Sequence, residues 1–462
     1  MTGAEREERL LSGWGRTAPS RATVVRLSDV AAVTTELRSP PRRGVLPRGL
    51  GRSYGDVAQN AGGVVLDMTG LAGIETFDEG AGTITALAGT SLDAILRVTV
   101  PRGWFLPVTP GTRFVTLGGA IASDIHGKNH HVDGALGDHI AAFDLVTADG
   151  VVRSVTSDGD PETFAATVGG MGLTGVITRA TIRLLPIETS RMCVDTERAG
   201  DLDDLMARMT SGDDRYRYSV AWVDGLARGR ALGRSVLTRG DHATLAELGD
   251  RWSGEALAFD PRSLPSVPPM MPNVVTPIAA RVFNEVWFRK APRWEHGRIT
   301  PLAPFFYPLD AVGDWNRLYG PRGFVQYQFV VPFGEESTVR SAIERLAAFG
   351  SASFLAVLKR FGPGRGMLSF PIEGWTLALD LPARRGHLSE LLDGLDRRVA
   401  DAGGRVYLAK DARLDPGLLA AMYPELEQAE TIRRALDPAN VFRSDLARRL
   451  GIGAPARREV LA

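Results

Sequence analysis

The chain has 462 residues, 44% hydrophobic and 23% charged, with 54 basic and 54 acidic side chains; that length predicts two domains, or one with a large insertion, around an ordinary globular core. Zero net charge excludes a global field that would draw in nucleic acid or an anionic bilayer. A single cysteine, Cys193, excludes an internal disulfide and a thiolate metal cluster, and no run of about eighteen apolar residues is present to span a membrane.

Cys193 itself is expected to be a small core residue. The charged start MTGAEREERLL has no apolar stretch or small-residue cleavage site, so no Sec-type signal peptide is expected. The arginine-rich start as a whole, up to RRGVLP, reads as irregular. RRGVLPRGLGRSYGDVAQNAGGVVLDM then reads as strand, glycine-rich loop, strand. TITALAGTSLDAIL predicts a strand that turns into a helix at Thr90–Ser91, which suit an N-cap. FDLVTADGVVRSV predicts a hairpin with Asp149-Gly150 at its turn. PETFAATV reads as a helix opened by Pro161, and GVITRATIRLLP as an alternating strand. Many short strands without regular βαβ units make the first 190 or so residues α+β.

Beyond Pro186 longer helices are predicted in DLDDLMARM and STVRSAIERLAAF, and strands in GFVQYQFVVPF, SFLAVLKRF and WTLALDLP. Ten of the 28 prolines lie between Pro261 and Pro308, among Met270, Met271, Trp287, Phe288, Trp294, Phe305 and Phe306. Proline blocks regular ladders, so this segment is expected to be extended and loop-rich. It is either a lid or lipid-facing surface, or an irregular connection packed on its own domain. The tail DPGLLAAMYPELEQAETIRRALDPANVF reads as helices punctuated by proline.

Three stretches carry chemistry. In PRGLGRSYGD (Pro47–Asp56), Gly49, Gly51 and Gly55 let backbone N–H groups converge, and Arg48, Arg52, Ser53 and Tyr54 add donors suited to phosphate oxygens. GMGLTG (Gly170–Gly175) fits G-x-G-x-x-G, but here a helix precedes and a strand follows, the reverse of a nicotinamide-binding fingerprint. In GGAIASDIHGKNHH (Gly118–His131) the small residues suit backbone lying against a planar ring, with His126 and Lys128 projecting towards a substrate. Its histidines lack the acidic partner of a helical zinc motif, and its glycines argue against a helix, so no metal is expected. Only four of the 54 basic residues are lysine: Lys128, Lys290, Lys359 and Lys410. In a chain this rich in arginine, a retained lysine points to a site that needs a compact ammonium.

PRGLGRSYGD, TPGTRFVTLGGAIASDIHGKNHH and GGMGLTGV, in this order and spacing, resemble the vanillyl-alcohol-oxidase-type FAD flavoproteins. HGKNHH, QYQF and LAKD narrow the resemblance to the oxidase components of decaprenylphosphoryl-β-D-ribose 2-epimerases, from SGWGRTAPS to RSDLARRL. It implies an α+β, two-domain fold of the PCMH type, with an FAD-binding domain over residues 1–189, a substrate domain built on an antiparallel sheet over 190–404, and a segment returning to the FAD domain over 405–462. It implies non-covalent FAD, with the diphosphate on Arg48, Gly49, Leu50, Gly51, Arg52, Ser53 and Tyr54. Gly111, Thr112, Gly118, Gly119, Ser123, Ile125, Gly172, Val176 and Tyr407 would line the rest of the cofactor. His126 and Lys410 would act at the flavin, and Lys128, Gln326, Gln328, Lys359 and Trp222 would bind substrate.

The same resemblance implies oxidation of the 2-hydroxyl of a polyprenylphosphoryl ribose to a 2-keto sugar, for cell-wall arabinan synthesis. A separate NADH-dependent ketoreductase would complete the epimerisation. Without a signal peptide the chain is expected to be cytoplasmic, or peripheral with possible membrane contact, while the resemblance implies a place at the cell envelope. Ala378 stands where mycobacterial members carry a cysteine captured by covalent inhibitors, which predicts lower susceptibility at unchanged turnover. Phe306 and Thr376 stand where a tyrosine and an asparagine are expected. The rival readings are a same-fold oxidase of a soluble alditol or aldonolactone that passes electrons to oxygen, and a non-catalytic flavin- or lipid-binding protein.

Overall fold

The computed structural model describes residues 5–249, 254–350, 354–383 and 387–454. Its first sheet holds β1 (Arg6–Leu11), β2 (Ser20–Arg26), β3 (Val45–Arg48) and β4 (Val64–Asp67) in the order β1-β2-β4-β3. β2, β4 and β3 run parallel, while β1 is antiparallel to β2 from Arg6 opposite Val25 to Leu11 opposite Ser20. The stretch expected to be irregular therefore holds two strands, Arg6–Leu11 and Ser20–Arg26. β1 is an edge strand on which Leu11 alone is buried, so no inward-facing alternation marks it in the sequence.

Next come β5 (Ile74–Asp78), β6 (Thr83–Leu87), β7 (Trp104–Phe105), β8 (Ile140–Val146), β9 (Val152–Val155), β10 (Val176–Arg183) and β11 (Leu185–Pro186). Five of them form an antiparallel sheet, β5-β6-β10-β8-β9, and β7 pairs with β11. The expected hairpin joins β8 to β9, with Gly150 in left-handed backbone (φ 77°) and Asp149 Oδ1 accepting from the Val151 N–H. Ser91 caps the helix Leu92–Thr99 by accepting from the Ala94 N–H at 3.1 Å, and Pro161 opens the helix Pro161–Thr167.

Gly118 and Gly119 depart from expectation, for they lie in a short helix, Leu117–Ala122. Thr116 caps it, and a Cβ at Gly118 would sit 2.9 Å from the Ala88 Cβ. The glycine is there because the helix lies hard against the chain leaving β6, a tertiary demand that outweighs glycine's low helix propensity.

The third sheet holds β12 (Arg191–Ala199), β13 (Tyr218–Val223), β14 (Ser235–His242), β15 (Trp294–Pro301), β16 (Phe324–Val331), β17 (Ala356–Phe361), β18 (Gly374–Pro382) and β19 (Arg405–Val406). Their order is β15-β12-β14-β13-β17-β18-β16-β19, antiparallel throughout. One face packs against the helices Leu202–Gly212, Glu336–Phe349 and Leu388–Asp401 through Ala221, Leu237, Tyr327, Phe329, Leu358, Leu377 and Leu379. Side chains of the other parity, Trp222, Val236, Gln326, Gln328, Val357, Lys359 and Ala378, turn to a cavity on the opposite face. All of β18 is buried, which explains its unbroken apolar run. Trp375 on this strand is 1% exposed and donates to Glu336 Oε1 at 2.9 Å. Trp375→Ala is expected to cost about 3–5 kcal/mol, read as a fall in the denaturation midpoint with little change in residual FAD affinity.

Two further expectations change. Cys193 is half-buried on β12, opposite Asp241, and not part of the core. The proline-rich segment contains regular structure: a fourteen-residue helix Pro277–Lys290, the strand β15 and a short helix Leu302–Phe306. Within these elements the prolines fall at ends or, for Pro304 in Leu302–Phe306, in a first turn that needs no intrahelical N–H. Pro277 opens the helix next to its cap Thr276, and Pro301 closes an edge strand, positions where a missing N–H costs nothing.

After β19 the chain turns back to the first sheet. The Tyr54 N–H donates to the Ala409 carbonyl at 3.0 Å, Val45 bridges to Phe442, and Arg449 pairs with both Asp56 and Asp411.

Candidate active site

β3 ends at Arg48, and the chain turns through Gly49–Tyr54 with Gly51 in left-handed backbone (φ 65°). Among the described residues, the N–H groups of Leu50, Gly51, Arg52 and Ser53 donate to no protein acceptor. Successive free N–H groups around a left-handed residue make a concave anion site. Arg52 lies over the Trp14 ring, 3.9 Å from its centroid, with its Nε buried and unpartnered. Unpaired amides beside an unpaired guanidinium nitrogen are a donor set that fits a diphosphate. Arg48 differs: its guanidinium donates to the carbonyls of Ala58 (2.6 Å) and Ser12 (2.8 Å), so its side chain braces the loop.

The loop opens on a cavity of about 770 Å³. Gly111, Thr112, Gly118, Gly119, Ser123, Ile125, Gly172 and Tyr407 line it together with Arg48–Tyr54. Tyr407 is held by its hydroxyl, which donates to the Ser123 carbonyl at 2.7 Å. Val176 stands apart, its side chain buried in an apolar cluster with Val25, Val33 and Leu66, while its neighbours Gly175 and Ile177 reach the cavity wall.

At the far end of this glycine-lined wall, polar groups converge. The Gln328 amide donates to His126 Nε2 at 3.0 Å and to Thr376 Oγ1 at 3.4 Å. That bond leaves the proton of the neutral imidazole on Nδ1, which is buried without a partner. Burial first, then the charges of Lys359, His130 and Lys410, hold His126 well below the ordinary imidazole range, so it is neutral at physiological pH. Gln326 donates to Asp380 Oδ1 at 2.6 Å, and Lys410 Nζ lies 3.9 Å from the Tyr54 ring centroid. Lys128 donates to the Phe305 carbonyl, and Lys359 donates to the Gly127 carbonyl at 3.4 Å. Phe306 and Ala378 also line the cavity.

All four lysines of the chain border this one cavity. Lys290 is the one that motif reading left without a role, and the scarcity of lysine was the signal that could have found it. Asp380 was missed as well. Its trace in the sequence is a lone carboxylate inside the apolar run WTLALDLP. Burial pushes Asp380 up to about 7, against the opposing pull of Gln326 and Lys410.

The cavity continues outward as an apolar lane. Gln328, Ala378, Val357, Trp222 and Val236 are direct cross-strand neighbours on five adjacent strands. At about 4.8 Å per strand the row spans roughly 19 Å. Trp222 is pinned by its Nε1, which donates to the Phe354 carbonyl at 3.0 Å, so its ring faces the cavity as part of the floor. The lane ends near Trp287, Lys290, Ala291 and Pro292. One end holds Lys128, Lys359, Lys410 and the two amides, the row between is apolar, and Lys290, Glu295 and Arg298 stand with Trp287 at the outer end. That arrangement suits an amphiphile with an anionic head.

Burial lowers Lys128 to about 7, Lys359 to about 8 and Lys410 to about 7, in each case by penalising the ammonium form. A lowered lysine keeps its charge below that value and loses it as pH rises through it. Apparent affinity for a phosphorylated ligand is therefore expected to fall between about pH 6 and about pH 9, up to tenfold per unit for each lysine engaged. KM measured across this range checks it, and Lys359→Met should flatten the upper part of the curve. A flat profile in the parent would remove the lysines from anion binding.

Comparison with known proteins bears on the same features. The family model described as an FAD binding domain matches residues 22–156. The chain is 44% identical over 447 residues to decaprenylphosphoryl-β-D-ribose oxidase of Mycolicibacterium smegmatis, covering 95% of this chain and 97% of that one. It is 45% identical to an uncharacterized Streptomyces coelicolor protein over 78% of this chain and the whole of that one. L-gulono-1,4-lactone dehydrogenase of Mycobacterium tuberculosis is 23% identical over 95% of this chain and 98% of its own length. The chain uses FAD, and the extent of the first match settles its kinship: it belongs to the decaprenylphosphoryl-β-D-ribose oxidase family of FAD-dependent oxidoreductases.

Proposed function

We propose that this chain oxidises the 2-hydroxyl of decaprenylphosphoryl-β-D-ribose to the 2-keto sugar, the first half of an epimerisation to the arabinose form. The observation that carries this reading is the gathering of Lys128, Lys359, Lys410, Gln326 and Gln328 at one end of an apolar lane. A soluble lactone would need the polar end but not the lane.

FAD, held without a covalent bond, supplies the two-electron acceptor when bound. Gly49–Tyr54 would hold its diphosphate, while Gly111, Thr112, Gly118, Gly119, Ser123, Ile125, Gly172 and Tyr407 would hold the remainder. Lys128 and Lys359 balance the charge of the sugar phosphate, and the Gln326 and Gln328 amides fix the hydroxyls of the ring. Trp222 supports the first part of the prenyl chain. Lys410 places a cation where negative charge grows as the alcohol gives up two electrons. The hydroxyl proton goes to His126 Nε2, with the alcohol taking the place of the Gln328 amide there. Burial keeps His126 neutral, the form that can accept that proton at Nε2. A separate NADH-dependent ketoreductase then reduces the ketone to the epimeric alcohol. Among the described residues no helix is long and apolar enough to cross a membrane, and the protein works in the cytoplasm or peripherally at the cell envelope.

Anaerobic titration tests this reading. Loss of flavin absorbance on adding a short-chain prenylphosphoryl ribose, but not free ribose or gulonolactone, is the expected result. Bleaching by the soluble sugars alone would reverse the choice of substrate.

A further inference from the structure

Nine of the seventeen large apolar side chains exposed among the described residues lie between Leu264 and Trp294. Five of these are on the helix Pro277–Lys290. Ile278 (76% exposed), Val282 and Val286 (59% each) recur every fourth residue, and Phe283 and Trp287 stack beside them with ring centroids 5.8 Å apart. The opposite side of the helix is anchored by buried Ala280 and by Asn284, whose amide donates to Asp224 Oδ1 at 2.7 Å. The helix is thus fixed to the protein with its apolar face outward, over a length of about 21 Å. Exposed apolar patches of this continuity are uncommon on a lone protein and mark an interaction surface.

The charges around the patch are one-sided. Residues 277–298 carry Arg281, Arg289, Lys290, Arg293 and Arg298 against Glu285 and Glu295, a net +3 in a chain whose total is zero. Both carboxylates are already paired: Glu285 with Arg234 and Arg289, and Glu295 with Arg298. An apolar helix face rimmed by unneutralised arginine and lysine matches the interfacial zone of an anionic bilayer. The patch is also continuous with the site, for Trp287 and Lys290 belong both to the exposed helix and to the cavity wall at the outer end of the lane.

We propose that the helix Pro277–Lys290 docks in the surface of an anionic lipid bilayer, so that the cavity mouth opens at the hydrocarbon boundary and a lipid-linked sugar enters head first while its tail remains in the membrane. This rests on the proposed substrate for its purpose but not for its test. The docked helix would lie along the surface, its apolar residues among the upper acyl carbons and its basic residues at the headgroups. Lys290, at the junction, would meet the phosphate of an incoming lipid before Lys128 and Lys359 do.

The experiment uses the full-length FAD-loaded protein and flotation with vesicles of phosphatidylglycerol and phosphatidylcholine, or of phosphatidylcholine alone. Binding to the anionic vesicles, weakened by salt and by omission of phosphatidylglycerol, is the expected result. The triple variant Ile278→Glu/Val282→Glu/Val286→Glu keeps good helix formers at exposed positions and should lower vesicle binding by about a hundredfold. It should keep its FAD and its activity on a short-chain, water-soluble prenylphosphoryl ribose, yet lose turnover of long-chain substrate held in vesicles. A second variant, Arg281→Gln/Arg293→Gln, should lose the salt dependence while retaining weak binding to both kinds of vesicle. Equal flotation of parent and triple variant would overturn the proposal. So would concentration-dependent self-association of the parent, abolished in the triple variant, with no vesicle binding, since the face would then belong to a second copy of the chain. If soluble substrate fails to bleach the flavin while flotation behaves as expected, the substrate assignment fails and the docking surface stands.

Discussion

Lys410→Met is expected to leave the protein yellow and nearly inactive, with the rate of anaerobic flavin reduction down by about a thousandfold. Lys410 is half-buried at the cavity wall, with its ammonium over the Tyr54 ring and under the influence of buried Asp380. Methionine preserves the length and most of the volume of the side chain and removes only the charge. The loss should fall on the reduction rate constant, because a cation that answers charge developing in the transition state adds little to ground-state binding. FAD content should hold, since the donors proposed for the diphosphate are the backbone N–H groups of Leu50–Ser53 and not the Tyr54 ring that Lys410 covers. Lys410→Arg should recover only part of the rate: a planar guanidinium does not occupy the site of a compact ammonium. Stopped-flow reduction and the FAD-to-protein ratio give the two readouts. Reduction within a few fold of the parent would take Lys410 out of the chemistry.

Gly49→Val is expected to give a folded but colourless protein, with FAD affinity reduced by about a hundredfold or more. A Cβ at Gly49 would lie 2.0 Å from Thr116 Oγ1 and 2.9 Å from its Cγ2, distances at which something must move. Thr116 cannot move without cost, because its Oγ1 accepts from the Gly119 N–H and caps the helix Leu117–Ala122. Residues on both sides of the clash line the cavity: Gly49–Ser53 on one, Gly118 and Gly119 on the other. The substitution therefore parts two walls that must close on the same ligand. The clash lies away from the helices that pack on the eight-stranded sheet, so thermal stability without added FAD should fall far less than FAD affinity does. Titration of FAD into the purified apoprotein decides it, and full FAD content as isolated would show that Thr116 can step aside.

Local signals in the sequence proved sound where the physics was local. The Asp149-Gly150 turn, the Ser91 cap, the opening Pro161 and the strand in GFVQYQFVVPF all act over a few residues. Each appears where the pattern placed it. The glycine loop likewise announces its donors, because an amide nest is built from consecutive residues. The failures share the opposite property. β1 has no buried face to mark it, the glycine at 118 sits inside a helix because that helix packs against Ala88, and the helix Pro277–Lys290 shows its apolar side to solvent, where a core-seeking pattern misleads.

Residue types and short-range spacing thus determined the glycine-rich donor loop, most of the strands and the scarcity of lysine that set four positions apart. Only the tertiary structure decided that those four lysines border one cavity and that a lane joins Gln328 to Val236. Strand order is the reason. β13 and β17 are neighbours although more than a hundred residues separate Trp222 from Val357, and pairing over such distances is set by which faces bury together, a property no short stretch of chain contains.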